Sequence, residues 1–237
     1  MRMRKKKNGE ARLDACREFI CKKPTSPMTD PAASYGMPGA PVYLEIGAGK
    51  GGFAVKMAKR HGGVCYFAME KVSDCVVLAA ELAKASGGVE NLHFIIDGAD
   101  ELPDWLGNGC VDKIFLNFSD PWSKKGYAKR RLTHRRYLAL YMNLLKDGGT
   151  LTFKTDNTGL FDFSLEEIAA IGLECDALTR DLHASSYAEG NIMTEYETAF
   201  SAQGIKINML NITKPAGFSI EMPPRQRRNR GGEDGDR

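Results

Sequence analysis

The stretch VYLEIGAGKGGF, Val42 to Phe53, decides the fold. A short apolar strand, Val42–Ile46, runs into six residues of which four are glycine, and a helical pattern from Phe53 to His61 follows. Glycine lets a strand turn sharply into a helix and lets backbone approach a ligand closely. Downstream the same alternation repeats. Val64–Met69 reads as a second strand ending at Glu70, followed by a helix around Ser73–Ser86. Leu92–Ile96 is a third strand ending at Asp97, and Val111–Phe118 a fourth ending at Asp120. Leu132–Lys146 reads as a helix closed by Asp147-Gly148-Gly149, with glycine as the stop signal. Thr150–Thr155 is a fifth strand ending at Asp156, then a helix around Thr158–Ala170. Glu195–Ser201 and Ile205–Asn211 read as late strands, with a hairpin turn around Gln203-Gly204. Strands alternating with helices imply an α/β fold, an open and mostly parallel sheet covered on both faces.

In such sheets ligands bind at the carboxyl ends of the strands, near the point where strand order reverses. Four strands in succession end in an acid there: Glu70, Asp97, Asp120 and Asp156. The glycine string itself is ambiguous. Gly47, Gly49 and Gly52 fit a dinucleotide fingerprint, with Glu70 about twenty residues on for a ribose. Gly47, Gly49 and Gly51, preceded by Glu45, fit an S-adenosylmethionine loop; a plain strand–helix turn is the third reading. Glu70 suits ribose hydroxyls under either cofactor. Asp97 suits an adenine amine, although Asp100 offers a second acid in an uncertain register. Glu45 tilts the choice, because an anion at the strand-order reversal favours a cationic cofactor over a pyrophosphate.

The fourth strand leads into Asp120-Pro121-Trp122 and then Lys124, Lys125, Lys129, Arg130, Arg131, Arg135 and Arg136, with no acid among them. A solvated helix face would intersperse Glu and Asp. An unbroken cationic run binds phosphates by charge and counterion release, which marks Lys125, Lys129, Arg130 and Arg131 as RNA contacts. Trp122 has two readings, a base-stacking platform or a plug at the sheet end. Tyr127 and His134 read as RNA-facing or packing residues.

Composition excludes several classes. Among 237 residues the net charge is only +3, so the cationic clusters carry the polyanion signal rather than the total. The six cysteines form no CxxC pair and read as reduced thiols, and the four histidines are too scattered for a metal site. No secretory h-region and no apolar run of roughly 18 residues is present, so the protein is expected to be cytoplasmic and away from membranes. Residues 1–40 read as a basic, partly flexible arm with a short helix around Arg12–Ile20. Residues 41–215 read as the catalytic domain and 216–237 as a disordered tail.

LEIGAGKGGF, NFSDPW, KKGYAKRRL, FKTDN and TEYE occur here in an order that resembles the bacterial tRNA (guanine-N7-)-methyltransferases, over about Val42 to Ser201. The resemblance implies a Rossmann-like class I methyltransferase fold with a seven-stranded sheet, S-adenosylmethionine as cofactor, and tRNA as partner of a monomer or homodimer. It implies transfer to N7 of guanine 46 in the variable loop; another RNA nucleoside is the alternative target. It puts the cofactor on Glu45, Gly47, Gly49, Glu70, Asp97 and Asp120, with Asp120 also catalytic. It puts the substrate on Lys124, Asp156, Thr194, Glu195, Tyr196 and Glu197. This chain has Ser123-Lys124-Lys125-Gly126-Tyr127 where the family has Pro-Lys-Lys-Arg-His, and Gly98 follows Asp97. An NAD-dependent oxidoreductase leaves the cationic run unexplained, and a non-catalytic RNA-binding module leaves the glycine loop idle.

Overall fold

A computed structural model describes residues 8–221 of the chain. Seven strands form one sheet in the order β3-β2-β1-β4-β5-β7-β6. The strands are β1 (Val42–Ile46), β2 (Cys65–Glu70), β3 (Leu92–Ile96), β4 (Val111–Asn117), β5 (Leu145–Thr155), β6 (Ala177–Thr179) and β7 (Asn208–Thr213). The first five pair in parallel, and β7 runs antiparallel to both β5 and β6. Strand order reverses between β1 and β4, which puts the ends of these two strands at the centre of one sheet edge.

Parallel strands covered on both faces become continuously apolar, and β2 is buried at all six positions. On one face α3 (Gly52–Arg60) and α4 (Ser73–Ser86) pack through Phe53, Met57, Val76 and Ala80 against Tyr66, Ala68 and Phe94. On the other, α5 (Leu102–Trp105), α6 (Arg135–Leu144) and α7 (Thr158–Ala169) cover Leu44, Phe67, Ile114 and Phe153 with Trp105, Leu138, Tyr141 and Phe161. Asn91 ties the first layer together, its amide donating to the carbonyls of Ala58, His61 and Val64.

Several elements differ from the sequence reading. Glu195–Ser201 is a helix, α8, not a strand, and no hairpin forms at Gln203-Gly204. Thr194 and Glu197 form a reciprocal capping box, and this Thr-x-x-Glu signal for a helix start outweighs the alternating pattern. The last strand begins at Asn208 rather than Ile205, and its edge partner β6 is too short and too exposed to announce itself. Gly148-Gly149 does not end a helix. α6 stops at Leu144 and the glycines lie inside β5, where the register with β4 slips. A Cβ on Gly149 would sit 2.8 Å from the Lys146 carbonyl oxygen, so the irregularity needs glycine.

The N-terminal stretch packs from Gly9 onward. α1 (Gly9–Asp14) lies on α4 through a two-bonded Arg12–Glu81 pair, with a 3-10 turn at Arg17–Phe19 in place of a helix continuing to Ile20. Ile20 then bridges to Phe94 and Met28 to Leu106. The basic start, residues 1–7, and the tail from residue 222 lie outside the described residues. Residues 216–221 of the expected tail are described, and there Ile220 exchanges two hydrogen bonds with the Asn143 amide. All six cysteines are free thiols. Among the described residues no helix is long and apolar enough to cross a membrane, and no group of three metal-ligating side chains occurs.

Candidate active site

The glycine loop is built by backbone conformations that L side chains rarely adopt. Gly47, Gly49 and Gly51 have φ of 83°, 56° and 77°. Gly51 is further enforced by packing, since a Cβ there would meet the Ala79 Cβ at 2.7 Å. The amides of Gly47 and Ala48 both donate to the Met69 carbonyl, and the Gly49 amide donates to Glu70 Oε2 at 3.0 Å. The other Glu70 oxygen accepts from Val72 N at 2.9 Å. Glu70 is thereby fixed beside the loop, and each of its oxygens retains a lone pair for a ribose hydroxyl.

Glu45 occupies the reversal point and is 2% exposed. Its Oε1 accepts from Asn117 Nδ2 at 3.1 Å, whereas the buried Oε2 faces the Tyr66 hydroxyl without closing a well-formed hydrogen bond, and both oxygens keep unfilled lone pairs. Burial pushes this carboxyl up from 4.5 to about 7, against the opposing pull of Asn117 and Lys154. Asn117 Oδ1 and Ser119 Oγ are also buried without partners. Buried polar atoms are almost always satisfied, so a cluster of orphans at the end of β1 and β4 is what a ligand rich in donors fits. Glu45 Oε2, Asn117 Oδ1 and Ser119 Oγ can all accept from an ammonium group, and the glycine loop beside them leaves room for a ligand backbone. The residues present therefore suit S-adenosylmethionine. Asn117 and Ser119 belong to the NFSDPW stretch but were not assigned from sequence; their burial was the missing information.

Asp97 stands directly after β3, next to Glu70 in register. It accepts from Trp105 Nε1 at 3.1 Å and from its neighbour Gly98 N, and pairs with Lys23 at 3.4 Å. Asp100, the competing acid, is engaged with Arg136 and the Tyr137 hydroxyl on α6. Asp97 thus lies at the sheet edge and Asp100 against α6, each with partners of its own.

Asp120 is exposed and has no hydrogen-bond or ion-pair partner among the described residues. It sits between two non-glycine residues in left-handed backbone, Phe118 (φ 49°) and Trp122 (φ 41°). Such residues cost about 1–3 kcal/mol each and gather at functional sites. The Trp122 ring is half-buried, with Arg130 at 5.0 Å and Lys71 at 5.9 Å over its face and Tyr127 against its edge.

The cationic run divides in two. Lys124, Lys125, Lys129 and Arg130 are exposed without an acidic partner among the described residues. Arg135 is held by Glu167 through two side-chain bonds, Arg136 pairs with Asp100, and Arg131 is turned inward onto the carbonyls of Pro121 and Trp122. Arg131, expected among the RNA contacts, thus spends donors on backbone carbonyls of its own chain. His134 accepts from Arg136 N and caps α6.

TEYE divides similarly. Glu197 is 0% exposed, paired at 2.6 Å with Lys154 Nζ and bonded to Asn191 and Thr194. Thr194 is buried as the cap of α8. Both are expected to touch substrate, and both also fix the start of α8, because a glutamate beside a buried lysine lowers its free energy most by pairing with it. Lys154 is pushed below its usual range by burial, opposed by Glu197. Tyr196 projects at 65% exposure and stacks on Phe118, while Glu195 lies over Gly52 at the start of α3. α8 therefore joins the glycine loop to the Asp120 turn. Asp156 follows β5 half-buried and without a partner among the described residues; Asn157, not Asp156, caps α7 by accepting from Leu160 N.

Known proteins share this arrangement. A family described as "Putative methyltransferase" matches residues 39–210. The tRNA (guanine-N(7)-)-methyltransferase of Lachnoclostridium phytofermentans is 44% identical over 170 residues, 72% of this chain and 79% of that one. The chain belongs to the tRNA (guanine-N(7)-)-methyltransferase family. A second member, from Halalkalibacterium halodurans, is 42% identical over 168 residues, 71% of this chain and 76% of that protein. The fold is also that of a 16S rRNA (adenine(1408)-N(1))-methyltransferase from Catenulisporales acidiphilia, solved with its cosubstrate SAM. That structure superposes with a TM-score of 0.54 at 14% identity over 80% of this chain and 92% of the other. As a class I methyltransferase, a methyltransferase-family chain of this kind is an S-adenosylmethionine-dependent enzyme.

Proposed function

We propose that this chain methylates N7 of guanine 46 in the variable loop of tRNA, working in the cytoplasm as a monomer or homodimer. The observation that carries the reading is the placement of Asp120. It is a free carboxylate that follows the orphaned acceptors of Asn117 and Ser119 along the chain and precedes four cations without acidic partners among the described residues.

S-adenosylmethionine supplies an electrophilic methyl group on a cationic sulfonium. Glu45 and Asp97 would hold its amino and adenine ends, Glu70 its ribose, and Gly47 and Gly49 the room for it. Guanine N7 carries a lone pair and no proton, so the chain needs no general base. Its task is alignment, which contributes about 7–11 kcal/mol in well-oriented reactions. A carboxylate fixed in place also stabilises positive charge as it develops on the purine. Asp120 does both, accepting from the guanine N1–H and N2–H edge while its charge faces the ring. Tyr196 and Glu195 border the base, Lys124 and Asp156 border the nucleotide, and Lys125, Lys129 and Arg130 hold phosphates.

The test is transfer of labelled methyl from S-adenosylmethionine to an unmodified tRNA transcript, followed by nucleoside analysis. Label in 7-methylguanosine, lost when guanine 46 is replaced by 7-deazaguanine, is the expected result. Label in another nucleoside would keep the cofactor and overturn the target. Asp120→Ala should lower turnover by about a hundredfold or more.

A further inference from the structure

The strained turn around Asp120 needs an explanation for why it persists. At its first end the Phe118 amide donates to the Lys154 carbonyl at 2.9 Å, and the Phe118 ring stacks on Tyr196. At its far end the work falls to one side chain. Arg131 Nε donates to the Pro121 carbonyl at 2.8 Å, and Nη2 donates to the Trp122 carbonyl at 3.1 Å. The guanidinium also lies 4.3 Å from the centre of the Phe163 ring on α7, which packs against the main core. Two consecutive carbonyls directly after Asp120 are thus gripped by a single planar fork that is itself braced on the fold. Lysine has the same charge but no fork, and cannot span both oxygens in this way.

We propose that Arg131 is a positioning residue for methyl transfer: it fixes the orientation of Asp120 through the Pro121 and Trp122 carbonyls and is not a phosphate contact. The proposal rests on the reading of Asp120 given above. It separates Arg131 from Lys125 and Lys129, which lie in the same run but point their charge at solvent.

Arg131→Lys keeps the charge and removes the fork, so it decides between the two roles. Turnover is measured per S-adenosylhomocysteine-binding site, which discounts unfolded chain. The expected result is a kcat at least tenfold lower, with KM for tRNA and the salt dependence of binding within twofold of the wild type. Added methylguanidinium should restore part of the turnover of Arg131→Ala, an effect that a purely structural residue would not give. Undiminished kcat in Arg131→Lys, with Arg131→Gln flattening the salt slope by about one, would make Arg131 a phosphate contact and overturn the proposal. A loss of turnover fully explained by lost binding sites would overturn it too. Asp120→Asn run in parallel separates the two levels. Full turnover there removes the underlying reading, whereas a crippled Asp120→Asn beside an unimpaired Arg131→Lys removes only the clamp.

Discussion

Two buried glutamates lie in neighbouring parts of this molecule and differ in one respect. Glu197, at the start of α8, has its charge matched by Lys154 and accepts from Asn191 Nδ2 and Thr194 N besides. Glu45, at the end of β1, has one bond from Asn117, a loosely placed Tyr66 hydroxyl, and no ion-pair partner among the described residues. Saturated, a buried acid is scaffold. Left with unspent valence beside a glycine loop, it is a place for a ligand. The same division runs through the cations, where Arg131 and Arg135 are spent on partners within the chain and Lys125 and Lys129 are not.

The contrast breaks most readily at Glu197. Glu197→Ala strands Lys154 as an unpaired buried charge and should cost about 3–5 kcal/mol in denaturant unfolding. Replacing the pair together, Lys154→Met with Glu197→Leu, should recover most of that loss. A single variant that costs under about 1 kcal/mol would mean the pair is not scaffold.

Glu45 should behave in the opposite sense. Its carboxyl is raised from 4.5 to about 7 in the fold. The native state therefore holds the proton longer than the unfolded chain does, and its contribution to stability is fully present below pH 4.5. That contribution is lost as pH rises through about 7, amounting to about 3 kcal/mol at the upper end. Glu45→Gln should remove this slope and leave the cofactor-free protein at least as stable at pH 8. A variant less stable than wild type there would show that the ionised acid is held by partners in the fold.

The smallest effect belongs to the free cations. Lys129→Ala should weaken tRNA binding evenly across tRNAs and lower its salt slope by about one, with no change in unfolding free energy. An unchanged slope would remove Lys129 from the phosphate contacts.

Much of this site could be read from the chain because its acids stand at strand ends, and strand ends follow from the alternation of apolar runs and breakers. Glu45, Glu70, Asp97 and Asp120 are all of that kind. What could not be read depends on which side chains meet across the fold. Lys154 and Glu197 are 43 residues apart, and only the closed sheet brings them together. Arg131 looks identical to Arg130 in sequence, yet one points inward to backbone carbonyls and the other lies over Trp122. α8 was misread for a local reason, because Thr194 and Glu197 signal a helix start whose few residues also alternate like a strand.

The central claim is that unspent valence at Glu45 marks the cofactor site, and calorimetric titration of S-adenosylhomocysteine into wild type and Glu45→Gln at pH 7.5 tests it most directly. At least tenfold weaker binding in a variant of undiminished stability is the predicted result. Equal affinity in the two proteins would contradict it and return Glu45 to the scaffold.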